Sequence, residues 1–193
     1  MIDGAKVLAL VFGCLLTDNF VFSRFFAERS ALAENKLSAA ARIGAAVAVI
    51  AAAAAIVSSA LYFFVLSPLK LTYLGTVTAV LSVAGAYYLA ERFLKVKELL
   101  RFDHPTALHA LIAVDSVLVG AALLGAQAEN FLYGALTGIF GALGFLLAVV
   151  LMAGVRERIA LSDVPEGLKG LPISLISAGL IALALIGFSG FGG

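Results

Sequence analysis

Polar and apolar residues in this chain separate on a scale of about twenty residues, not two or four. Charge-poor runs cover about residues 6–26, 43–69, 71–90, 106–126, 131–155 and 171–188. Each approaches the roughly 20 residues that a helix needs to cross about 30 Å of hydrocarbon. The pattern predicts an all-α integral membrane protein with six transmembrane helices. Two runs are interrupted from within, the first by Asp18 and Asn19 and the fourth by Asp115 and Ser116. These two aspartates are the only acids far from the end of an apolar run. A charge at mid-bilayer costs at least about 2.5 to 3.5 kcal/mol on insertion scales, so such residues usually face a partner, water or the protein interior.

The second, fifth and sixth runs are rich in Ala and Gly, which let helix backbones approach closely and predict a tight bundle. Gly134, Gly138, Gly141 and Gly144 recur at helical spacing and would form one smooth groove on the fifth helix, better suited to packing than to a ligand. Pro68, between Ser67 and Lys70, marks a tight turn, and the connection over residues 127–130 is as short. The other three connections carry Arg24, Arg29, Lys36 and Arg42, then Arg92, Lys95, Lys97 and Arg101, then Arg156, Arg158 and Lys169. Only Lys6 and Lys70 of the 13 basic residues lie on the other side. Basic loops stay in the cytoplasm, which puts both termini outside.

Residues 1–193 read as one membrane domain. Divided near Arg101, it has halves of about 1–100 and 101–193 with three helices each, and an odd number of crossings inverts the second half. Each half opens on its interrupted helix, so the expected architecture is two inverted three-helix repeats with helices 1 and 4 broken into half-helices. Matching interruptions point to a midplane site, where unwound backbone lines a cavity or a protein interface. Asp18, Asn19, Asp115 and Ser116 are the candidates for that site or ion pathway. The alternative is that Asp18 and Asp115 only cap the half-helices after them.

Composition agrees with the bilayer. The chain is 63% hydrophobic and only 13% charged, with a mean hydropathy of +1.10; a soluble domain is nearer half apolar and a quarter charged. A net charge of +1, with basic residues scattered over separate loops, gives no case for nucleic acid. The single cysteine, Cys14, excludes an intramolecular disulfide and any cysteine-rich metal site built by this chain alone. Lys6 followed by an apolar run imitates a signal peptide, but Asp18, Asn19 and Phe20 are no small-residue cleavage site, and the same pattern recurs mid-chain. There is no P-loop, dinucleotide fingerprint, HExxH, CxxCH or site for covalent flavin. His104 and His109, the only histidines, lie five residues apart, which does not place them on one helical face as a ligand pair, and they flank Pro105 at a membrane edge. Arg156, Glu157, Arg158 and Asp163 mark a polar loop with no nucleophile and base. It is either a solvated anchor for helix ends or a docking surface for a cytoplasmic partner.

The C-terminal third, from Gly154 through Arg156, Glu157, Arg158, Asp163, Pro165 and Gly170 to Ser189 and Gly190, resembles the RnfA/NqrE-type subunits of the Rnf and sodium-pumping NADH:quinone oxidoreductase complexes. Asp18 to Val21 and Ser23 to Phe26 resemble that family's first-helix motif. Leu111, Ile112 and Val117 to Gly120 resemble its fourth-helix motif. The resemblance implies a multi-pass protein of the prokaryotic cytoplasmic (inner) membrane with inverted repeats. It also implies a homologous six-helix partner of opposite topology, the RnfE/NqrD type, flavin and iron–sulfur subunits, and a [2Fe-2S] cluster shared between the paired subunits through two cysteines from each.

This chain departs from the family where those cysteines belong, because Arg29 and Ser116 occupy the two positions. Clusters are held by thiolates, and a guanidinium has no lone pair to offer. No metal site is therefore expected of this chain, and the intersubunit cluster is not expected unless the partner supplies every ligand. Asp18 and Asp115 could instead bind a cation or relay protons, since carboxylate and carbonyl oxygens suit hard cations; alternatively, Arg24 or Arg29 could neutralise Asp18. The expected function is a non-catalytic membrane subunit of a Na⁺- or H⁺-translocating Rnf/Nqr-type electron-transport complex, forming its central membrane conduit. One alternative is a cluster-free paralogue, with a homodimer in place of the paired subunits, that transports a small solute or ion through the Asp18/Asp115 midplane. Another is a scaffold whose polar residues only cap broken helices.

Overall fold

The computed structural model describes residues 4–23, 37–93 and 116–188. Among these residues the chain is helical between its turns and contains no strand. Helix α1 (Gly4–Phe12) continues as one π-helical turn, Gly13–Thr17. Helix α2 (Leu37–Leu61) ends the same way, in the turn Tyr62–Leu66. A 3-10 turn, Thr72–Leu74, opens α3 (Gly75–Phe93). Then come α4 (Ser116–Ala126), α5 (Phe131–Ile159) and, after a 3-10 turn at Glu166–Leu168, α6 (Leu171–Ile186).

Three stretches are long and apolar enough to cross a membrane: Ala40–Leu66, Thr72–Ala90 and Phe131–Ile159, of 27, 19 and 29 residues. They coincide with the second, third and fifth apolar runs. Both α2 and α5 overrun the apolar boundaries, because hydropathy marks the edge of the oily zone and not the last hydrogen bond of a helix. The helix therefore continues through Arg156 and Arg158, whose cations favour a helix C-terminus. The helical pieces Lys6–Thr17, Ser116–Ala126 and Leu171–Ile186 are shorter. The first run breaks where its polar pair falls: the helix stops at Thr17, and residues 18–23 are not helical. The remainder of the first run, residues 24–26, and residues 106–115 of the fourth lie outside the described residues.

Both short turns form as expected. After Pro68 the chain closes through Lys70 N–H to the Ser67 carbonyl at 3.2 Å and Leu71 N–H to the Leu66 carbonyl at 2.9 Å. Lys70 there adopts φ 57°, a left-handed turn conformation. At the second turn the Asn130 side chain caps α5 by accepting from Tyr133 N–H at 3.0 Å.

The core is built on the long pair α2 and α5, which pack along each other more extensively than any other two elements. Alanines make this possible: Ala51, Ala54 and Ala55 on α2 and Ala148 and Ala153 on α5 are fully buried. Helix α4 lies against α2, α3 and α5. It buries Val117, Leu118, Ala121 and Ala122 completely, as a short helix that is apolar on every side must. Outward faces carry large apolar side chains where a protein in water would carry charge. Val77, Val80, Leu81 and Leu89 on α3 and Leu175, Ile176, Leu180, Leu183 and Ile186 on α6 are all exposed. Apolar surfaces of this extent fit lipid and not water.

Candidate functional site

The polar interruption of the first run forms a compact knot. The π turn widens α1 by one residue, so that Asp18 N–H reaches the Gly13 carbonyl at 2.7 Å. Asn19 then leaves the helix and uses its whole side chain to hold the break. Its amide nitrogen donates to the Leu15 carbonyl at 3.0 Å and to the Gly144 carbonyl of α5 at 2.8 Å, and its oxygen accepts from Val21 N–H at 2.9 Å. Asn19 is fully buried. An amide suits this position because it both donates and accepts, whereas a carboxylate only accepts. Ser23 N–H closes the turn on the Asn19 carbonyl at 3.0 Å.

The glycine row of α5 receives the knot. A β-carbon on Gly144 would overlap the Cys14 carbonyl, and one on Gly141 would overlap the buried Phe20 ring. Higher on the same row, a β-carbon on Gly138 would overlap Ala55 of α2, and one on Gly134 would overlap the Gly125 carbonyl of α4. One stripe of small residues therefore seats α1, α2 and α4 in succession. The packing role expected of these glycines is the one the structure assigns to them.

The midplane candidates separate. Asn19 is locked into packing, while Asp18 at the end of the π turn and Ser116 at the first position of α4 are exposed in the isolated chain. Asp115 and Arg29 lie outside the described residues. Beside the break, Leu16, Thr17, Phe22 and Ser23 face Ala182, Leu185 and Ile186 of α6 across a cavity of about 290 Å³. In the polar loop, Glu157, Arg158 and Asp163 are exposed, but Arg156 is half-buried in the wall of a second cavity.

Among the described residues no group of three or more His, Cys, Asp or Glu could hold a metal ion. The donor set also fails to fit an iron–sulfur cluster ligated by this chain: its single thiol, Cys14, is buried beside the α5 glycine row, and Ser116 offers a hydroxyl.

Sequence reasoning passed over Ser58 and Ser59, whose hydroxyls are buried on α2 without a hydrogen-bond partner among the described residues. Two adjacent hydroxyls in an alanine-rich run were the signal available. Ser59 Oγ sits 2.7 Å and 2.8 Å from where β-carbons on Gly125 and Gly134 would stand, at the crossing of α2, α4 and α5. An unpaired buried hydroxyl costs about 1–3 kcal/mol. Ser59→Ala is therefore expected to leave the thermal unfolding midpoint in detergent unchanged or raise it; a marked drop would show that the hydroxyl has a partner.

A bundle of apolar helices, dressed in exposed aliphatic side chains and pinned at an internal break, defines a polytopic membrane protein without a catalytic constellation among its described residues. The family model described as "Rnf-Nqr subunit, membrane protein" matches residues 7–192, and the chain belongs to that family. It is 36% identical over 186 residues to the A subunit of the Na(+)-translocating ferredoxin:NAD(+) oxidoreductase complex of Acetobacterium woodii, covering 95% of this chain and 97% of the relative. It is 35% identical over 188 residues to the A subunit of the proton-translocating ferredoxin:NAD(+) oxidoreductase complex of Clostridium ljungdahlii, covering 96% and 97%. With the A subunit of the ion-translocating oxidoreductase complex of Edwardsiella ictaluri the identity is 36% over 185 residues, covering 95% and 96%.

Proposed function

We propose that this chain is the A-type membrane subunit of an ion-translocating electron-transport complex of the Rnf/Nqr kind, where it shapes the membrane conduit. The observation that carries this reading is full-length similarity to proteins named as the A subunits of such complexes, extending through the knot at Asn19 and the polar loop at Arg156. In this reading the two halves are inverted repeats around the α2–α5 pair, with both termini outside the cytoplasmic membrane. The excess of basic residues on the three long connections supports that orientation. Glu157, Arg158 and Asp163 are exposed at one end of the bundle, where flavin and iron–sulfur subunits would dock. A homologous six-helix subunit of opposite topology would cover the break and the start of α4.

The same reading assigns no cluster to this chain's own side chains, since it has one cysteine and Ser116 and Arg29 at the family's ligand positions. Purification from the native membrane in mild detergent, with partners identified by mass spectrometry and iron quantified per chain, tests the proposal. Flavoprotein and iron–sulfur subunits in fixed ratio are the expected result, and iron in the membrane core would show that a partner supplies the ligands.

The single cysteine favours one second reading, a cluster-free transporter with Asp18 and Asp115 on its pathway. Recovery of the chain alone or as a homodimer, without iron, would replace the first reading with this one. Asp18→Asn and Asp115→Asn would then each reduce transport; if both left transport and electron transfer untouched, neither aspartate would serve a pathway.

A further inference from the structure

The second cavity, about 250 Å³ between the end of α5 and the start of α6, has a one-sided chemistry. Its wall carries the cations Arg156 and Lys169, the hydroxyls of Ser162 and Ser174 and the aliphatic chains of Ile159 and Ile173, and among the described residues no carboxylate. The acids of the same loop, Glu157, Asp163 and Glu166, do not line it. Both hydroxyls are committed to backbone carbonyls, Ser162 to Arg158 at 3.1 Å and Ser174 to Gly170 at 3.0 Å, which leaves recognition to the charges. Lys169 shares its charge with Glu166 at 3.3 Å, but that pair is exposed to solvent and weak. Helix α6 begins at this cavity with no side-chain cap and no acid in its first turn, so its positive end adds to the same field.

Depth identifies the occupant. Helix α5 starts at Phe131, just past the polar turn at residues 127–130, and Arg156 lies roughly 38 Å further along the helix axis. For a helix that enters the hydrocarbon at Phe131 and runs near the bilayer normal, that is past about 30 Å of hydrocarbon, at the headgroups of the opposite leaflet. Leu161, Leu168 and Leu171 are exposed around the loop, and apolar chains beside cations at this depth are what an acyl–headgroup boundary accommodates.

We propose that this cavity is a binding site for the phosphate of an anionic phospholipid, held by Arg156 and Lys169, with its acyl chains along the exposed aliphatic face of α6. The polar loop thus has two jobs: Glu157, Arg158 and Asp163 face outward, while Arg156 and Lys169 hold lipid. The site needs only that the chain is embedded in a bilayer, so it stands or falls independently of the electron-transport reading.

The test is native mass spectrometry of the full-length protein in detergent, with phosphatidylglycerol or phosphatidylcholine added, and inorganic phosphate in a separate arm. The wild type should retain phosphatidylglycerol in preference to phosphatidylcholine. Lys169→Gln should weaken that retention about five- to tenfold, as loss of one cation near a phosphate implies. Arg156→Gln should weaken it at least as much, and Arg158→Gln, which removes the same charge outside the cavity, should not. Should Arg156→Gln fail to fold by size-exclusion chromatography, Lys169→Gln against Arg158→Gln carries the comparison. Equal retention of the two lipids, or equal loss in Lys169→Gln and Arg158→Gln, overturns the proposal. Displacement of phosphatidylglycerol by millimolar inorganic phosphate would assign the cavity to free phosphate and overturn the lipid source.

Discussion

Asn19→Asp is expected to abolish stable folding, and Asn19→Ala to leave a folded but weakened protein. Alanine removes the bonds to the Leu15 and Gly144 carbonyls and strands Val21 N–H inside the bundle. A stranded buried donor costs about 1–3 kcal/mol, a large part of the stability of a typical domain. Aspartate is nearly isosteric but acts as an acceptor alone, so it would set a negative charge against two carbonyl oxygens at a fully buried position. Burying an unpaired carboxylate costs several kcal/mol more. Yield of monodisperse protein and the unfolding midpoint in detergent measure both variants. Equal stability of aspartate and alanine would mean that water or a cation reaches the knot.

Gly144→Val should be as damaging from the other side of the same contact. The first added carbon would overlap the Cys14 carbonyl and come 3.2 Å from the Asn19 amide nitrogen. These are parts of the backbone and a fully bonded side chain, with no flexible end to swing aside, so α1 must move off α5. Overpacking of a tight core costs about 1–3 kcal/mol, and here the displacement would also break the Asn19–Gly144 bond. Gly144→Ala should show the same effect at smaller size. Because both residues serve one contact, Asn19→Ala and Gly144→Ala should be strongly non-additive in a double-mutant cycle. Simple additivity would show that the break and the glycine row contribute separately.

The break in α1 is thus held by the bonds of the Asn19 side chain to Leu15, Gly144 and Val21. Of the polar pair only Asp18 is exposed, as is Ser116 at the first position of α4. The aliphatic face of α6 and the cavity beside the break lie outside the α2–α5 core.

The helical membrane class, the two tight turns, the three full-length spans and the site of the break were legible from sequence. Each depends on a local property: hydropathy over twenty residues, a proline in a turn, or polar residues within an apolar run. The glycine row was legible as a packing surface, because spacing alone places Gly134, Gly138, Gly141 and Gly144 near one face. Which element each glycine receives was not legible. The Asn19 amide meets a carbonyl 125 positions away, and a backbone carbonyl has no side-chain identity to reveal it. The different fates of Asp18 and Asn19 were hidden for the same reason. Adjacent residues at a broken helix point in different directions, and only the approach of α5 decides which one is buried. Arg156 and Arg158 looked equivalent in a polar loop, yet Arg156 is half-buried in the wall of the cavity between α5 and α6 and Arg158 is exposed. Sequence by itself determined where this chain meets lipid and where its first helix must break, because the cost of a polar group in an apolar run is local. Only the tertiary structure decided which polar groups are buried in packing and which face outward, because that depends on neighbours brought in from distant parts of the chain.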